Sequence, residues 1–294
     1  MSDISARPFS IVVTGGDGQL GQELIRMSSD CLDRCVIVGL NRSQLDITDK
    51  EQCLYVIRQC QPDAIIHAAA YTAVDRAESD PDGAWLVNVD GTGHIASAAE
   101  AVGASLCYIS TDYVFDGTGT IPYKETDATN PRSVYGKTKL EGERLASSIC
   151  AKTFVVRTSW VYGKYGNNFV RTMMRLARDS SELSVVNDQT GSPTYTYDLA
   201  RLIVELVQTK NYGVYHATNG GYCTWYEFAK AIFKEAGIDS TKVVPCTTDE
   251  FPRPARRPMY SVLGSQALQE AGFQPLRHWR DALRDYLIRE SSND

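Results

Sequence analysis

Through the first half of the chain, short apolar runs alternate with longer segments in which apolar residues recur every three or four positions. The short runs predict strands at residues 10–13, 35–40, 64–67, 105–110 and 154–157. The longer segments predict helices at residues 20–28, 49–59, 84–101 and 134–149. Strands and helices that alternate at this spacing are typical of an α/β fold with a parallel, doubly wound sheet.

Local signals mark the ends of some of these helices. Thr48 to Glu51 has the pattern of a capping box at a helix start, and Gly103 stands where a helix-ending glycine belongs. After about residue 160 the alternation loosens. Helices are predicted again at 196–210, 224–236 and 279–290, and Thr224 to Glu227 is a second capping box. Residues 187–194 and the cationic 251–258 are typical of loops. We therefore expect a second, smaller lobe over residues 161–294, partly interleaved with a sheet domain over 1–160.

A glycine-rich turn, Thr14-Gly15-x-x-Gly18-x-x-Gly21, follows the first predicted strand directly. Gly15 permits a tight turn, Gly18 lets backbone approach a phosphate, and Gly21 lets the helix pack on the strand. The helix start then offers unpaired amides to a pyrophosphate. Alone, such a pattern can be an ordinary loop. Its position between a strand and a helix at the start of the fold favours a dinucleotide-binding Rossmann domain.

The end of the second predicted strand informs the choice of cofactor. It carries Asn41 and Arg42 and no carboxylate that would bind an adenosine 2′-hydroxyl, and Arg42 could meet a 2′-phosphate. We therefore predict NADPH, although an Arg42 that points to solvent would leave a site that also accepts NADH. Asp46 and Ile47 could flank the adenine. Asp46 could equally cap the segment that follows it.

Tyr135 and Lys139 lie four residues apart on one predicted helix and therefore share a face. An ammonium group favours the phenolate, so Lys139 should lower the pKa of Tyr135 and suit the pair to acid–base work on a carbonyl. Alone, this spacing is usually a solvated helix face. Thr111, at the end of the fourth predicted strand, is the candidate for polarising the substrate oxygen. Asn88 could hold a relay water or be an ordinary polar helix position.

Composition limits the classes of function. The chain has 294 residues and a net charge of −6 without a block of like charges, which disfavours nucleic acid and gives no sign of membrane binding. Residues 1–8 lack the apolar stretch of a secretory signal. The eight cysteines show no Cys-x-x-Cys pair or zinc spacing, so we expect reduced, mostly buried thiols and a cytoplasmic protein. The four histidines and Trp225 and Trp279 are expected to be structural.

Seven segments together resemble the dTDP-4-dehydrorhamnose reductases, a family of extended short-chain dehydrogenases/reductases. The segments are residues 67–75, 110–117, 135–139, 157–163, 166–169, 187–194 and 257–261. With the glycine turn they extend over nearly the whole chain, and the ordered set is specific although each piece alone is not. The resemblance implies that NADPH or NADH delivers hydride to C4 of dTDP-4-dehydro-L-rhamnose, a nucleotide sugar.

The resemblance also implies roles for individual residues. Thr111, Tyr135 and Lys139 match the catalytic positions. With the residues proposed above, the cofactor positions are Gly15, Gly18, Gln19, Leu20, Gly21, Asn41, Arg42, Asp46, Ile47, Ala69, Ala70, Tyr71, Thr72, Tyr135 and Lys139. The substrate positions are Thr111, Asp112, Tyr113, Trp160, Asn168 and Arg257. Arg257 could bind the substrate diphosphate through its planar guanidinium or could form a structural salt bridge.

Two alternatives remain open beside the reductase. One is a sugar-nucleotide epimerase or dehydratase on the same fold. A dehydratase would need a second carboxylate directly after Asp112, where this chain has Tyr113. The other is a non-catalytic subunit that resembles the regulatory β subunit of methionine adenosyltransferase, against which Trp160 argues. Some members of the reductase family are magnesium-linked dimers. A homodimer is therefore possible here, but the sequence identifies no metal ligands.

Overall fold

A computed structural model of the chain describes residues 7–29 and 35–291. Its centre is a six-stranded sheet in which all neighbouring strands run parallel. The strands are β1 Phe9–Thr14, β2 Cys35–Leu40, β3 Ala64–His67, β4 Ser105–Thr111, β5 Thr153–Thr158 and β10 Gly213–His216. Their order across the sheet is β10-β5-β4-β3-β1-β2, so the chain reverses its direction of travel between β1 and β3. The predicted doubly wound parallel sheet is confirmed.

Helices cover both faces of this sheet. They are α1 Gln19–Arg26, α2 Lys50–Cys60, α5 Gly91–Val102, α6 Val134–Ile149 and α8 Thr196–Val207. The short helices α3 Val74–Ala77 and α4 Pro81–Trp85 pack against α6. Side chains of β1 alternate between two buried clusters, as the period of a strand requires. Ile11 and Val13 pack with α1 and α8, and Val12 packs with α2, α5 and α6. Both faces are therefore buried, which explains the nearly continuous apolar runs of the strands.

The remaining elements pack around a third buried cluster that includes Tyr162, Phe228 and Trp279. The strands are β6 Val161–Tyr162, β7 Glu182–Val186, β8 Thr190–Gly191, β9 Thr194–Tyr195, β11 Cys223–Thr224 and β12 Lys242–Cys246. The helices are α7 Phe169–Asp179, α9 Trp225–Glu235 and α11 Trp279–Ser291. Helix α10 Gln266–Glu270 is the exception, because its Leu268 packs in the buried cluster of the main sheet. Strand β10 and helix α8, although late in the chain, belong to the main sheet domain by contact.

Of the two predicted capping boxes, one is present in the structure and the other is not. The capping box at Thr224 and Glu227 is confirmed, with both reciprocal hydrogen bonds present. The box at Thr48 is wrong, because the Thr48 hydroxyl donates to Asp46 at 2.7 Å. Asp49 caps α2 instead, and its carboxylate accepts from the backbone N–H of Gln52 at 2.9 Å.

The long helix predicted over 84–101 is interrupted. One π-helical turn, Leu86–Asp90, separates α4 from α5, and such turns occur frequently at functional sites. The helix then ends at Gly103, whose φ of +74° confirms the predicted left-handed cap.

The cysteines follow the expected pattern where the structure describes them. Cys53, Cys107, Cys150 and Cys223 are buried thiols, and Cys60 and Cys246 are partly buried. Cys31 lies outside the described residues, as do residues 1–6, on which most of the reasoning about a secretory signal rested. No helix in the described part of the chain has the length and apolar character needed to cross a membrane.

Candidate active site

A cleft of about 1950 Å³ opens along the carboxyl ends of the sheet strands. In doubly wound sheets, ligands bind there, at the point where the strand order reverses. Most of the predicted site residues line this cleft. They are Gly15, Gly18, Gln19, Leu20, Gly21, Arg42, Asp46, Ile47, Ala69, Ala70, Tyr71, Thr72, Thr111, Asp112, Tyr113, Tyr135, Lys139, Trp160 and Arg257.

The glycine turn has the geometry that a pyrophosphate cradle requires. Gly15 has a φ of +70°, and a Cβ atom there would lie 2.7 Å from the Ala69 nitrogen. A Cβ atom at Gly21 would lie 2.2 Å from the Gly15 carbonyl oxygen. By contrast, a Cβ atom at Gly18 would meet only that oxygen, at 3.2 Å, so its other side is open. Two glycines therefore close the turn, and the third leaves room for a ligand.

The segment after β2 places its two polar candidates differently. Asn41 does not line the cleft, because its side chain accepts hydrogen bonds from Ser43 and Gln44 and closes a local turn. Arg42 does line it. The Arg42 side chain is 85% exposed and lies 3.6 Å from Asp46, so it is able to turn toward a ligand.

Asp46 acts locally on the chain that follows it. Its carboxylate accepts from both the backbone N–H and the hydroxyl of Thr48, at 3.0 and 2.7 Å. These hydrogen bonds, with the nearby Arg42, hold the pKa of Asp46 below its usual value. The capping alternative for Asp46 is thus present in the structure, although Asp46 and Ile47 also line the cleft.

Asn88 supports the segment that follows β3. Its side chain is 1% exposed, accepts from the Tyr71 backbone N–H at 2.8 Å and donates to the Thr138 hydroxyl at 3.0 Å. Asn88 stands in the π-helical turn, which directs its side chain between Tyr71 and helix α6. A residue that the sequence left undecided therefore ties a candidate cofactor segment to the helix that carries Tyr135.

Helix α6 is fixed at its start by two side chains. Ser133 caps it by accepting from the Gly136 backbone N–H at 3.1 Å, and Glu78 accepts from the Val134 N–H at 2.8 Å. Tyr135 stands in the first turn, and its ring meets that of Tyr113 edge-on with centroids 5.5 Å apart. The start of α6 is therefore fixed by hydrogen bonds, and the Tyr135 ring packs against Tyr113.

The pKa of Tyr135 differs from the expectation. Burial raises it to about 12, and hydrogen bonding with Thr111 opposes that rise only in part. The expected acidification by Lys139 is not found. The Tyr135 phenol is therefore protonated at neutral pH, the form that a proton donor needs.

The burial of Lys139 explains why it does not lower the pKa of the Tyr135 phenol. It is 2% exposed, and burial lowers its pKa to about 7, so its charge is only partly present at neutral pH. Its ammonium lies 4.0 Å from the centre of the Tyr108 ring. Glu143, one helical turn later, opposes the decrease in the pKa of Lys139.

Glu143 is held in a buried polar network below the cleft. Its carboxylate accepts from Arg157 at 2.9 and 2.7 Å and makes a short hydrogen bond with the Ser110 hydroxyl. Arg157 Nη1 also lies 3.4 Å from His216 Nε2. Ser110 is thus engaged by Glu143, whereas the Thr111 hydroxyl is directed to Asp112 at 3.1 Å, beside Tyr135.

Asp112 is a buried carboxyl group next to Thr111. It is 2% exposed, and burial raises its pKa to about 6, a rise that hydrogen bonds with Ser261 and Thr111 oppose. One of its oxygens, Oδ2, has no hydrogen-bond partner among the described residues. Asp112 therefore changes charge near neutral pH at the edge of the candidate site.

Two tryptophans form the far side of the cleft. Trp160 and Trp225 stack with centroids 3.6 Å apart, and both line the cleft. Trp160 has a φ of +47°, rare for a bulky residue. A Cβ atom at Gly191 would lie 2.5 Å from the Trp160 ring, so Gly191 makes room for the stack. Trp225 also packs against the third buried cluster, in keeping with its expected structural role, and Trp279, 2% exposed, is buried as expected.

Asn168 does not reach the cleft. It caps helix α7, and its amide donates to the Gly163 carbonyl at 2.8 Å and to the Gln19 side chain at 3.1 Å. It therefore supports the glycine turn from behind. The sequence could not show this, because 149 residues separate Asn168 from Gln19.

Arg257 lines the cleft while it is paired. Its guanidinium donates to Asp75 at 2.8 Å and to the Ala255 carbonyl at 3.3 Å. The salt-bridge alternative is therefore present in the structure, but at the cleft surface and not in the core. Asp75, Glu143 and Trp225 are the site-forming residues for which sequence reasoning gave no signal.

The described histidines have structural surroundings. His67 lies between the hydroxyls of Thr14 and Thr92, at 2.7 and 3.2 Å, and burial lowers its pKa to about 3. Within residues 7–29 and 35–291, no group of three His, Cys, Asp or Glu side chains could hold a metal ion. We therefore place no magnesium site.

Comparison with known proteins gives a consistent result. The profile of the family described as RmlD substrate binding domain matches residues 9–292. A dTDP-4-dehydrorhamnose reductase from Streptomyces griseus is 45% identical over 282 residues, which cover 93% of this chain and 91% of the relative.

Solved structures agree. The crystal structure of a dTDP-4-dehydrorhamnose reductase from Clostridium acetobutylicum has a TM-score of 0.93 at 44% identity and covers 96% of this chain and 100% of its own. That of a dTDP-4-dehydrorhamnose reductase from Bacillus anthracis, in complex with NADP, has a TM-score of 0.92 at 43% identity, with coverages of 96% and 99%.

Proposed function

The chain belongs to the RmlD substrate binding domain family, and we propose from this that it is an NADPH-dependent dTDP-4-dehydrorhamnose reductase. It reduces the C4 ketone of dTDP-4-dehydro-L-rhamnose to give dTDP-L-rhamnose. The observation that supports this most directly is the shared cleft. Tyr135, Lys139 and Thr111 line the same opening as the glycine turn.

The residues of the cofactor side fit a dinucleotide. Of Gly15, Gly18 and Gly21, only Gly18 has an open side, and α1 begins there without a side-chain cap, so its first amides would hold a pyrophosphate. When bound, NADPH supplies the hydride that reduces the ketone carbon. The exposed Arg42 favours a 2′-phosphate, and the NADP complex of the Bacillus anthracis relative supports the same choice. NADH is the weaker candidate.

We assign three steps to the chain's own side chains. The Thr111 hydroxyl, which donates to Asp112 in this structure, turns to donate to the substrate carbonyl oxygen and polarises it. Tyr135, protonated because burial raises its pKa to about 12, gives its proton to the oxygen as the alkoxide forms. Lys139 orients the nicotinamide ribose from one turn below. A phenol with a raised pKa suits this direction, because it keeps its proton until a strong base appears.

The opposite side of the cleft is proposed to hold the nucleotide sugar. Asp112 and Tyr113 border the sugar next to Tyr135, and the Trp160 ring provides an apolar surface for it. Arg257 meets the diphosphate. Asn168 acts indirectly through Gln19, since it does not reach the cleft.

Three further proposals concern the whole molecule. The division into a Rossmann domain over residues 1–160 and a mainly substrate-binding lobe over 161–294 remains our interpretation of the two groups of elements. We propose a cytoplasmic enzyme without a nucleic-acid partner, in line with a net charge of −6. A homodimer is the oligomer that we propose to test first.

The decisive experiment is direct turnover. The purified chain is given dTDP-4-dehydro-L-rhamnose, generated by the preceding sugar-nucleotide enzymes, with NADPH or NADH, and absorbance at 340 nm is followed while NMR identifies the product. We expect consumption of NADPH and formation of dTDP-L-rhamnose. Interconversion of sugars without net NADPH consumption would identify an epimerase instead. Absence of turnover, together with binding of a methionine adenosyltransferase catalytic subunit, would identify a regulatory subunit.

A further inference from the structure

One exposed loop joins the two sides of the cleft. We call residues 249–256 the strap. At its start, the Asp188 carboxylate accepts from the backbone N–H and the hydroxyl of Thr248, both at 2.8 Å. The strap residues themselves are mostly exposed, and Phe251 retains 48% of its surface. The strap therefore depends on its two ends for its position.

The far end of the strap is held by a residue from the other side of the cleft. Asp75, in helix α3, accepts from the Ala255 backbone N–H at 3.2 Å and from the Arg257 guanidinium at 2.8 Å. Helix α3 follows Tyr71 and Thr72 almost directly, and the Tyr71 backbone is itself fixed by Asn88. A single carboxylate thus connects the candidate cofactor segment to the candidate diphosphate ligand.

The pair lies close to the reacting groups. Both Asp75 and Arg257 line the cleft, and both act electrostatically on Tyr113, whose ring contacts that of Tyr135. The Arg257 side chain is 20% exposed, and its two hydrogen bonds use two of its five N–H donors. Other donors are thus available to a second acceptor, although the guanidinium is already oriented by Asp75.

We propose that Asp75 is a positioning residue that holds Arg257 in the geometry needed to recognise the diphosphate of the nucleotide sugar. This inference rests on the proposed function, because it assumes a nucleoside diphosphate substrate. An arginine that directly follows an exposed strap would lose side-chain and backbone freedom on binding a phosphate. Asp75 reduces that loss by ordering the Ala255 backbone and the guanidinium together.

The test separates recognition of the second phosphate from general affinity. Dissociation constants for dTDP and dTMP are measured by calorimetry with NADP⁺ present, for the wild type and for Asp75→Asn. We expect Asp75→Asn to weaken dTDP binding about tenfold while dTMP binding changes little. Arg257→Lys should show the same selective loss, and Asp75→Glu, which keeps the charge, should restore part of it.

The matched control is Asp82→Asn, which removes a carboxylate from the exposed start of α4, away from the cleft lining. It should leave both constants unchanged. Equal weakening of dTDP and dTMP by Asp75→Asn, no change, or tighter dTDP binding would each overturn the proposal. Turnover of the wild type is measured in the same preparations. A reductase with an unchanged dTDP-to-dTMP ratio in Asp75→Asn would refute the positioning role and leave the proposed function intact.

Discussion

The two sides of the cleft are built differently. The cofactor side consists of strand ends and helix α6, and the polar groups behind Tyr135 and Lys139 are buried and paired, as the Glu143–Arg157 ion pair with side chains 6% exposed shows. The substrate side consists of short strands, the stacked tryptophans and the strap. Its link to the cofactor side at Asp75 and Arg257 is partly exposed, with side chains 32% and 20% accessible.

This difference separates two tasks. Hydride transfer needs reacting groups held in a fixed geometry, and the buried cofactor side provides that rigidity. Selection among nucleotide sugars needs contacts that vary without disturbing the chemistry, and exposed loops on a rigid scaffold provide them. We therefore expect changes on the cofactor side to affect catalysis or folding, and changes on the substrate side to affect binding.

The strongest test of this division is Tyr135→Phe. Loss of the phenolic proton should lower kcat by about 10²–10⁴-fold, the usual contribution of a general acid. The ring remains and still packs against Tyr113, so thermal stability and NADPH affinity should stay close to those of the wild type. Stopped-flow measurement of a single turnover isolates the chemical step.

Tyr55→Phe is the control, because Tyr55 is 66% exposed on helix α2 and should have no effect. A Tyr135→Phe enzyme with near-normal single-turnover rate would remove Tyr135 from the proton transfer. It would also show that the rigid side of the cleft does not carry the chemistry.

The residues proposed for the cofactor side could be brought together from the sequence because their signals are local. Gly15, Gly18 and Gly21 lie within seven residues, and Tyr135 and Lys139 lie within one helical turn. The pKa values of the site could not be predicted in the same way. Burial raises the pKa of Tyr135 to about 12, and the spacing of Tyr135 and Lys139 does not reveal how deeply the phenol is buried.

The next largest effect concerns the glycine turn. Gly15→Ala must place a Cβ atom 2.7 Å from the Ala69 nitrogen at a φ of +70°. Left-handed backbone strain and the clash together should destabilise the fold by about 2–4 kcal/mol and weaken NADPH binding. Urea unfolding and fluorescence titration with NADPH measure the two effects.

Gly103→Ala is a matched control for backbone strain. Gly103 has nearly the same φ, +74°, but a Cβ atom there would meet nothing within 4 Å. Gly103→Ala should lower the free energy of unfolding by about 1–2 kcal/mol and leave the NADPH affinity unchanged. Equal losses of stability and of NADPH affinity in the two variants would mean that the close approach of Gly15 to Ala69 does not shape the site.

The substrate side was harder to predict because its contacts join distant parts of the chain. Arg257 and Asp75 are 182 residues apart, and the stack of Trp160 on Trp225 depends on the small Gly191. Strands β7 and β12 pair with each other but were not recognised, since each is short and only partly buried. Patterns of apolar residues do not record such pairings.

The smallest expected effect is a shift in pH dependence caused by Glu143→Gln. Burial lowers the pKa of Lys139 to about 7, and the negative charge of Glu143 opposes that decrease. Of the other titratable groups that face Lys139, His67 is neutral because burial lowers its pKa, and Tyr108 is neutral because burial raises its pKa. Glu143 is thus the charge whose removal should lower the pKa of Lys139 further.

If Lys139 acts as an ammonium, kcat/KM falls as pH rises through its pKa. In Glu143→Gln this alkaline limb should move to lower pH by about one unit, which corresponds to a decrease of about tenfold just above the wild-type limb. Glu143→Asp keeps the charge and should keep the limb, even if it lowers stability. Glu141→Gln, on the exposed face of the same helix, controls for loss of a carboxylate. An unmoved limb in folded Glu143→Gln would show that the buried network stabilises the sheet without tuning the site, and the cofactor side would then owe its rigidity to packing alone.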